Sequence, residues 1–289
     1  MDVVTSLRGM LLVVPFLIWL TIIELSIALL LPLKLISGSL VFNASSVLAS
    51  SVWRFIQGIF LDLNGAVITV SGDVLPKRES AVVIANHVGW CDVYMIEELA
   101  ARAGMLGHTR YFSKAQLRWR KWEADKKEMD RVFRGVTQGG WKTCMPLLVS
   151  FSEGTRFTPG KYLESRKFCA RNNRSQPANL LYPRTKGFVT TVQHVRKAPH
   201  VKAVYDFTIA YQKGRHFYTA PTMWETVAVP RLSMGEESGG RGFRFHIFAR
   251  RYLIEQLPHD DKALAIWLEQ RWIEKGQWLE EIKSKWADV

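Results

Sequence analysis

The hydrophobic rhythm of the chain changes near residue 62. Before that point apolar residues run almost unbroken, and residues 10–36, MLLVVPFLIWLTIIELSIALLLPLKLI, hold only one charge, Glu24, before Lys34. About 20 apolar residues suffice to cross a bilayer as a helix, so this stretch predicts a membrane helix. It is too long for the apolar region of a signal peptide, and no A-x-A-like cleavage site follows directly. Glu24 is costly at a bilayer centre unless it meets a partner, so it marks a helix contact or a re-entrant hairpin. Pro15 and Pro32 allow a kink. Residues 40–61 are less apolar and place Val52, Phe55, Ile56 and Ile59 at helical spacing, which predicts an interfacial helix or the return arm of a hairpin. The sequon Asn43-Ala44-Ser45 is a three-residue pattern of little weight.

Beyond residue 62 the pattern alternates. ITV, AVVIAN, MPLLVSFS, NLLYP and VKAVYDFTIAY read as strands, separated by segments of helical spacing. The alternation predicts an α/β fold, a mixed sheet flanked by helices. Residues 93–103 form a helix with Tyr94, Ile96, Leu99, Ala100 and Ala103 on one face, ending before Gly104. A C-terminal helix opens with Asp260 and Asp261 and carries Leu264, Trp267, Leu268, Trp278, Leu279 and Ile282 on a stripe interrupted at Gly276. Core packing is the plainer reading of that stripe, and a Trp-rich membrane contact is the other. The organisation expected is membrane-associated helices over 1–61, an α/β domain over 62–230, and a loop, strand and amphipathic helix over 231–289. The loop, GEESGGRG at 235–242, lacks the GK[ST] of a phosphate cradle.

Composition narrows the classes. With 289 residues, 48% of them hydrophobic, the chain can bury a sizeable core. Its 39 Lys and Arg against 26 Asp and Glu leave a charge of +13, which favours polyanions such as anionic headgroups or phosphorylated substrates. Cys91, Cys144 and Cys169 are too far apart for a CxxC zinc site and odd in number for a disulfide framework. A nucleic-acid partner is not expected, because no basic stripe with stacking aromatics is present.

The chemistry gathers where apolar runs end. AVVIAN delivers His87 to the connection before the 93–103 helix, with Asp92 five residues on. Ligand sites in α/β sheets collect at such strand ends. A carboxylate there would fix the imidazole tautomer and leave the other ring nitrogen free to take a proton from a hydroxyl. A second run, MPLLVSF, leads into FSEGTR. Its Arg156 suits bidentate phosphate recognition, Thr155 offers a hydroxyl, and Gly154 permits close backbone approach. A third, LYPRTKG at 181–187, adds Arg184 and Lys186.

Taken in order, NH-x4-D, FSEGTR and PRTKG resemble the 1-acylglycerol-3-phosphate and lysophospholipid acyltransferase family, in its fungal and eukaryotic membrane branch. The resemblance covers roughly residues 80–215, and the C-terminal DDKALAIWLEQRWIEKGQWLEE is similar too. It implies that His87 is the base and Asp92 its partner. It further implies that Glu153, Gly154, Thr155 and Arg156 hold phosphate and glycerol, and that Pro183, Arg184 and Lys186 line the substrate channel. Acyl-CoA would be co-substrate, with no metal or other cofactor, a lysophospholipid the acceptor, and the bilayer of the endoplasmic reticulum the setting; oligomeric state stays open. A covalent route through Cys91 is the lesser alternative, since a His-activated hydroxyl suffices. The sequence departs from the family between Trp119 and Arg120, where relatives carry a further strand-like segment ending in a phosphate-pocket arginine. Arg120 is the candidate for that arginine. The rival expectation is an impaired member serving as a membrane lipid-binding or scaffold protein.

Overall fold

The computed structural model describes residues 3–112, 147–233 and 242–287. Two long helices come first, α1 (Val3–Leu30) and α2 (Gly38–Gln57), joined through a 3-10 turn at Leu31–Leu35. Ser37 caps α2 by accepting from the Leu40 amide. Phe16, midway along α1, and Phe55, near the end of α2, lie 5.9 Å apart on either side of the connecting turn, so the helices form an antiparallel hairpin. After a π-helical turn at Gly58–Leu63 come β1 (Ile68–Gly72), β2 (Ser80–Ala85), α3 (Asp92–Arg102) and β3 (Thr109–Tyr111). Then follow β4 (Leu147–Phe151), α4 (Pro159–Arg171), α5 (Thr185–Val195), β5 (Val201–Lys213), β6 (His216–Phe217), α6 (Met223–Ala228), β7 (Phe243–Leu253) and α7 (Asp261–Ala287).

The strands form one mixed sheet in the order β1-β7-β5-β2-β4-β3, with β6 on β5. Central β2 is parallel to both β4 and β5 and buried along its whole length, which is why SAVVIA reads as a continuous apolar run rather than an alternation. β7 alternates instead. Phe243, Phe245, Ile247 and Ala249 join the core shared with α3 and the hairpin. On the opposite face α5 and α7 pack Phe188, Val192, Leu264, Leu268 and Trp272 against Val204 and Ala210 of β5.

β7 lies antiparallel to β5 and parallel to β1, so the expected C-terminal segment supplies a strand inside the sheet. NLLYP is not a strand. Leu180 and Leu181 are buried, but Asn179 takes a positive φ of 57° and side chains serve the backbone: Gln176 Nε2 donates to Leu180 O, and Tyr182 N donates to Ser165 Oγ. A run satisfied in this way can be interior without joining a ladder. α7 is continuous through Gly276, whose missing Cβ would fall 2.7 Å from Ala178 N; the glycine marks a close approach, not a break. The GEESGGRG loop lies largely outside the described residues.

The hairpin is fastened to the α/β unit. Arg8 donates to Ala228 O at 2.9 Å and to Asn64 Oδ1 at 2.6 Å, and Gln57 donates to Tyr94 O at 2.7 Å. Phe42 is buried, with Arg110 over its ring at 4.6 Å. At Gly107, φ +82°, a Cβ would fall 2.2 Å from Ser46 O, so only glycine lets α2 sit this close.

Candidate active site

His87 stands just beyond β2, and Asp92 is the first residue of α3. The loop between them folds back, so that His87 Nδ1 donates to Asp92 Oδ2 at 2.7 Å. The same oxygen accepts from Val88 N at 2.7 Å and Gly89 N at 3.1 Å. Asp92 thus ties down the amides of the loop that leads into α3, and its negative charge sits at the helix N-terminus, where the helix dipole favours it. Its other oxygen accepts from Tyr211 OH at 2.6 Å. The carboxylate is wholly buried, while the imidazole is 20% exposed. With Nδ1 committed to Asp92, Nε2 is the nitrogen able to accept a proton.

The ring of His87 stacks on Phe151 with centroids 4.1 Å apart, and Tyr111 backs Phe151 at 6.3 Å. Asn86 anchors the loop from below. Its Oδ1 accepts from Ile209 N at 2.8 Å and its Nδ2 donates to Ile209 O at 2.9 Å, so a side chain continues the β2–β5 pairing after the strand ends.

Two backbone hydrogen bonds bring the other motifs to His87. Phe157 N donates to His87 O, and Arg184 N donates to Ser152 O, both at 2.7 Å. Gly154 adopts a φ of 70°, the left-handed region that glycine enters without strain. Thr155 Oγ1 accepts from Lys161 Nζ at 2.5 Å. Arg156 and Arg184 are exposed, Lys186 is exposed in the first turn of α5, and Pro183 is buried. Glu153 differs from its neighbours. It is buried and accepts from Trp272 Nε1 of α7 at 3.3 Å. Burial above all, with the Asp92 charge adding to it, pushes its carboxyl well above the usual range. Arg120 lies outside the described residues.

Cys91 is fully buried, and burial followed by the Asp92 charge drives its thiol well up, so the thiolate a covalent route requires is disfavoured. Tyr211, Phe151 and Asn86 escaped sequence reasoning. Phe151 and Tyr211 read as ordinary strand aromatics, and only Asn86, a polar residue closing the apolar AVVIA run, carried a signal of its own.

A histidine oriented by a buried carboxylate, at the carboxyl end of parallel strands and beside exposed arginines, is an arrangement suited to taking a proton from a hydroxyl, as group-transfer enzymes require. The chain belongs to the acyltransferase family: the family model described as "Acyltransferase" matches residues 67–212, and "Acyltransferase C-terminus" matches 238–285. It is similar to probable 1-acyl-sn-glycerol-3-phosphate acyltransferase 5 of Arabidopsis thaliana, 29% identical over 81% of this chain and 61% of that one. Lysocardiolipin acyltransferase 1 of Gallus gallus is 26% identical over 74% of this chain and 56% of its own. The matched stretch thus spans roughly three fifths of these relatives' length. Among solved structures, the 1-acyl-sn-glycerophosphate acyltransferase PlsC of Thermotoga maritima covers 96% of this chain and 98% of its own at 14% identity and a TM-score of 0.48, a distant likeness.

Proposed function

We propose that this chain transfers an acyl group from acyl-CoA to the free glycerol hydroxyl of an anionic lysophospholipid. The observation that carries the reading is the His87–Asp92 pair, with Nδ1 held by a buried carboxylate and the ring edge partly open. In the reaction, His87 Nε2 takes the hydroxyl proton as the oxygen attacks the thioester carbonyl. The tetrahedral intermediate then collapses, the C–S bond breaks, and the imidazolium returns its proton to the departing thiolate. Arg156 and Arg184, exposed on loops tied to the His87 loop, suit the acceptor's phosphate. In an assay of labelled acyl-CoA against a panel of lysophospholipids, His87→Ala should abolish transfer, and Asp92→Asn should lower it by roughly three to four orders of magnitude. Equal transfer by parent and His87→Ala would remove the assignment.

The hairpin supports seating in one leaflet in preference to a span. Leu7, Leu11, Val14, Ile18, Ile22 and Leu25 are all about half exposed or more, at helical spacing along α1. α2 is already buried at Val41 and Phe42, within a turn of its start at Gly38. That leaves only a few ångströms of α2 beyond the last buried contact, against a hydrocarbon core of about 30 Å. The protein should resist carbonate extraction. A cysteine introduced at Ser37 should not be labelled by impermeant maleimide from the face opposite the catalytic domain; labelling there would refute the one-leaflet seating.

A further inference from the structure

α7 reaches the candidate site from behind through a buried polar chain that the proton transfer does not use. Trp272, with no exposed surface, donates its indole N–H to Glu153 Oε1, and among the described residues Glu153 Oε2 has no hydrogen-bond partner. One turn on, Lys275 is likewise buried; its ammonium pairs with Asp206, donates to Phe207 O at 2.6 Å and lies 4.9 Å from the Trp272 ring centroid. Asp206 and Phe207 belong to β5, so Lys275 locks the azimuth of α7 against the sheet and fixes where the indole points. Gly276 then brings the helix against the backbone of Ala178, in the segment leading to Pro183 and Arg184. A buried lysine and a buried aspartate are expensive to desolvate, and apolar packing alone would hold an amphipathic helix without them. Their presence one turn from the Glu153 contact calls for a geometric role.

We propose that Trp272, held in place by Lys275, is a positioning residue that acts through Glu153 on the loop carrying Gly154, Thr155 and Arg156. On this view the Glu153 carboxyl is an inward strut. It fixes the loop from the core side, while the exposed Arg156 on the same loop is left to meet the acceptor's anionic group. The proposal deepens the acyl-transfer reading and rests on it for its kinetic consequence, but not for its structural one.

The test uses the full chain in detergent or nanodiscs. Trp272→Phe keeps most of the packing and deletes the donor. Amide hydrogen exchange should accelerate at least threefold at Gly154, Phe157 and Arg184, whose amides bond to Phe151 O, His87 O and Ser152 O, while α7 and β5 amides stay as protected as in the parent. Kinetically, KM for the lysophospholipid should rise about tenfold with kcat within twofold, one such factor being about 1.4 kcal/mol. In a Glu153→Ala background the same substitution should change neither quantity further. Unchanged exchange at the three amides, acceleration spread evenly over α7 and β5, or a full effect of Trp272→Phe without Glu153 would each overturn the proposal. The exchange measurement decides it even if the parent transfers no acyl group to any lysolipid tested, an outcome that would count against the proposed reaction alone.

Discussion

Tyr211→Phe isolates one bond of the proposed catalytic pair, His87 and Asp92. The substitution deletes only the hydroxyl that donates to Asp92 Oδ1 at 2.6 Å, in a site where neither residue exceeds 0% exposure. Three donors remain, His87 Nδ1 and the amides of Val88 and Gly89, all on Oδ2. A hydrogen bond to a charged group contributes about 1.5–3 kcal/mol, and no water replaces this one in a closed core. At two to four degrees per kcal/mol, the expected fall in Tm is roughly 3–12 °C. Lost wholly from the transition state, the same energy would cost roughly 10- to 150-fold in rate. The bond exists before the substrate arrives, however, so only its strengthening as the imidazolium forms is lost, and kcat should fall about three- to tenfold with KM unchanged. Initial rates of acyl transfer together with calorimetry check both numbers. A loss as deep as that of Asp92→Asn, or an unchanged Tm, would refute the view that Tyr211 supports a carboxylate already held by its other donors.

Arg156→Ala should raise KM for the lysophospholipid about tenfold with acyl-CoA dependence little altered, since the side chain is exposed and has no polar partner among the described residues. Cys91→Ala should keep activity within about twofold and cost about 1 kcal/mol in denaturant unfolding, as expected for trimming a buried side chain. Glu97, buried and accepting from Thr109 Oγ1 and Tyr111 OH, has its carboxyl pushed up to about 7 by burial against a reference of 4.5. Between those values the folded state keeps a proton that the unfolded state has released, so stability falls as pH rises across this window and levels off above it. The difference between the parent and Glu97→Gln, followed by denaturant unfolding, should therefore shift in favour of the variant by on the order of 3 kcal/mol from pH 4.5 to 7; a pH-independent difference would contradict the buried acid.

Much of the candidate site was legible because its motifs end apolar runs. AVVIA must be an interior strand, a strand must end at a connection, and His87 and Asp92 are close enough in sequence for one short loop to join them. The resemblance supplied their roles. The 93–103 helix and the C-terminal helix also followed from periodicity, because a helix buried on one face writes its 3.6-residue repeat into the chain. NLLYP misled for the reverse reason: a buried loop satisfied by Gln176 and Ser165 has the same apolar run as a strand and no periodicity to tell them apart.

What the sequence by itself determined was therefore local: the apolar hairpin, the strand ends and the residue types waiting on them. The tertiary structure decided which distant residues meet there. Tyr211 lies 119 positions from Asp92, and Trp272 the same distance from Glu153, separations at which no pattern in a single chain reports contact. It also decided that β7 enters the sheet between β1 and β5, and that Phe42 of α2 is buried beneath Arg110 of the α/β unit. Hydropathy counts apolar residues but is blind to what covers them, so only the tertiary structure shows that α2 is partly buried while α1 keeps most of its apolar side chains exposed.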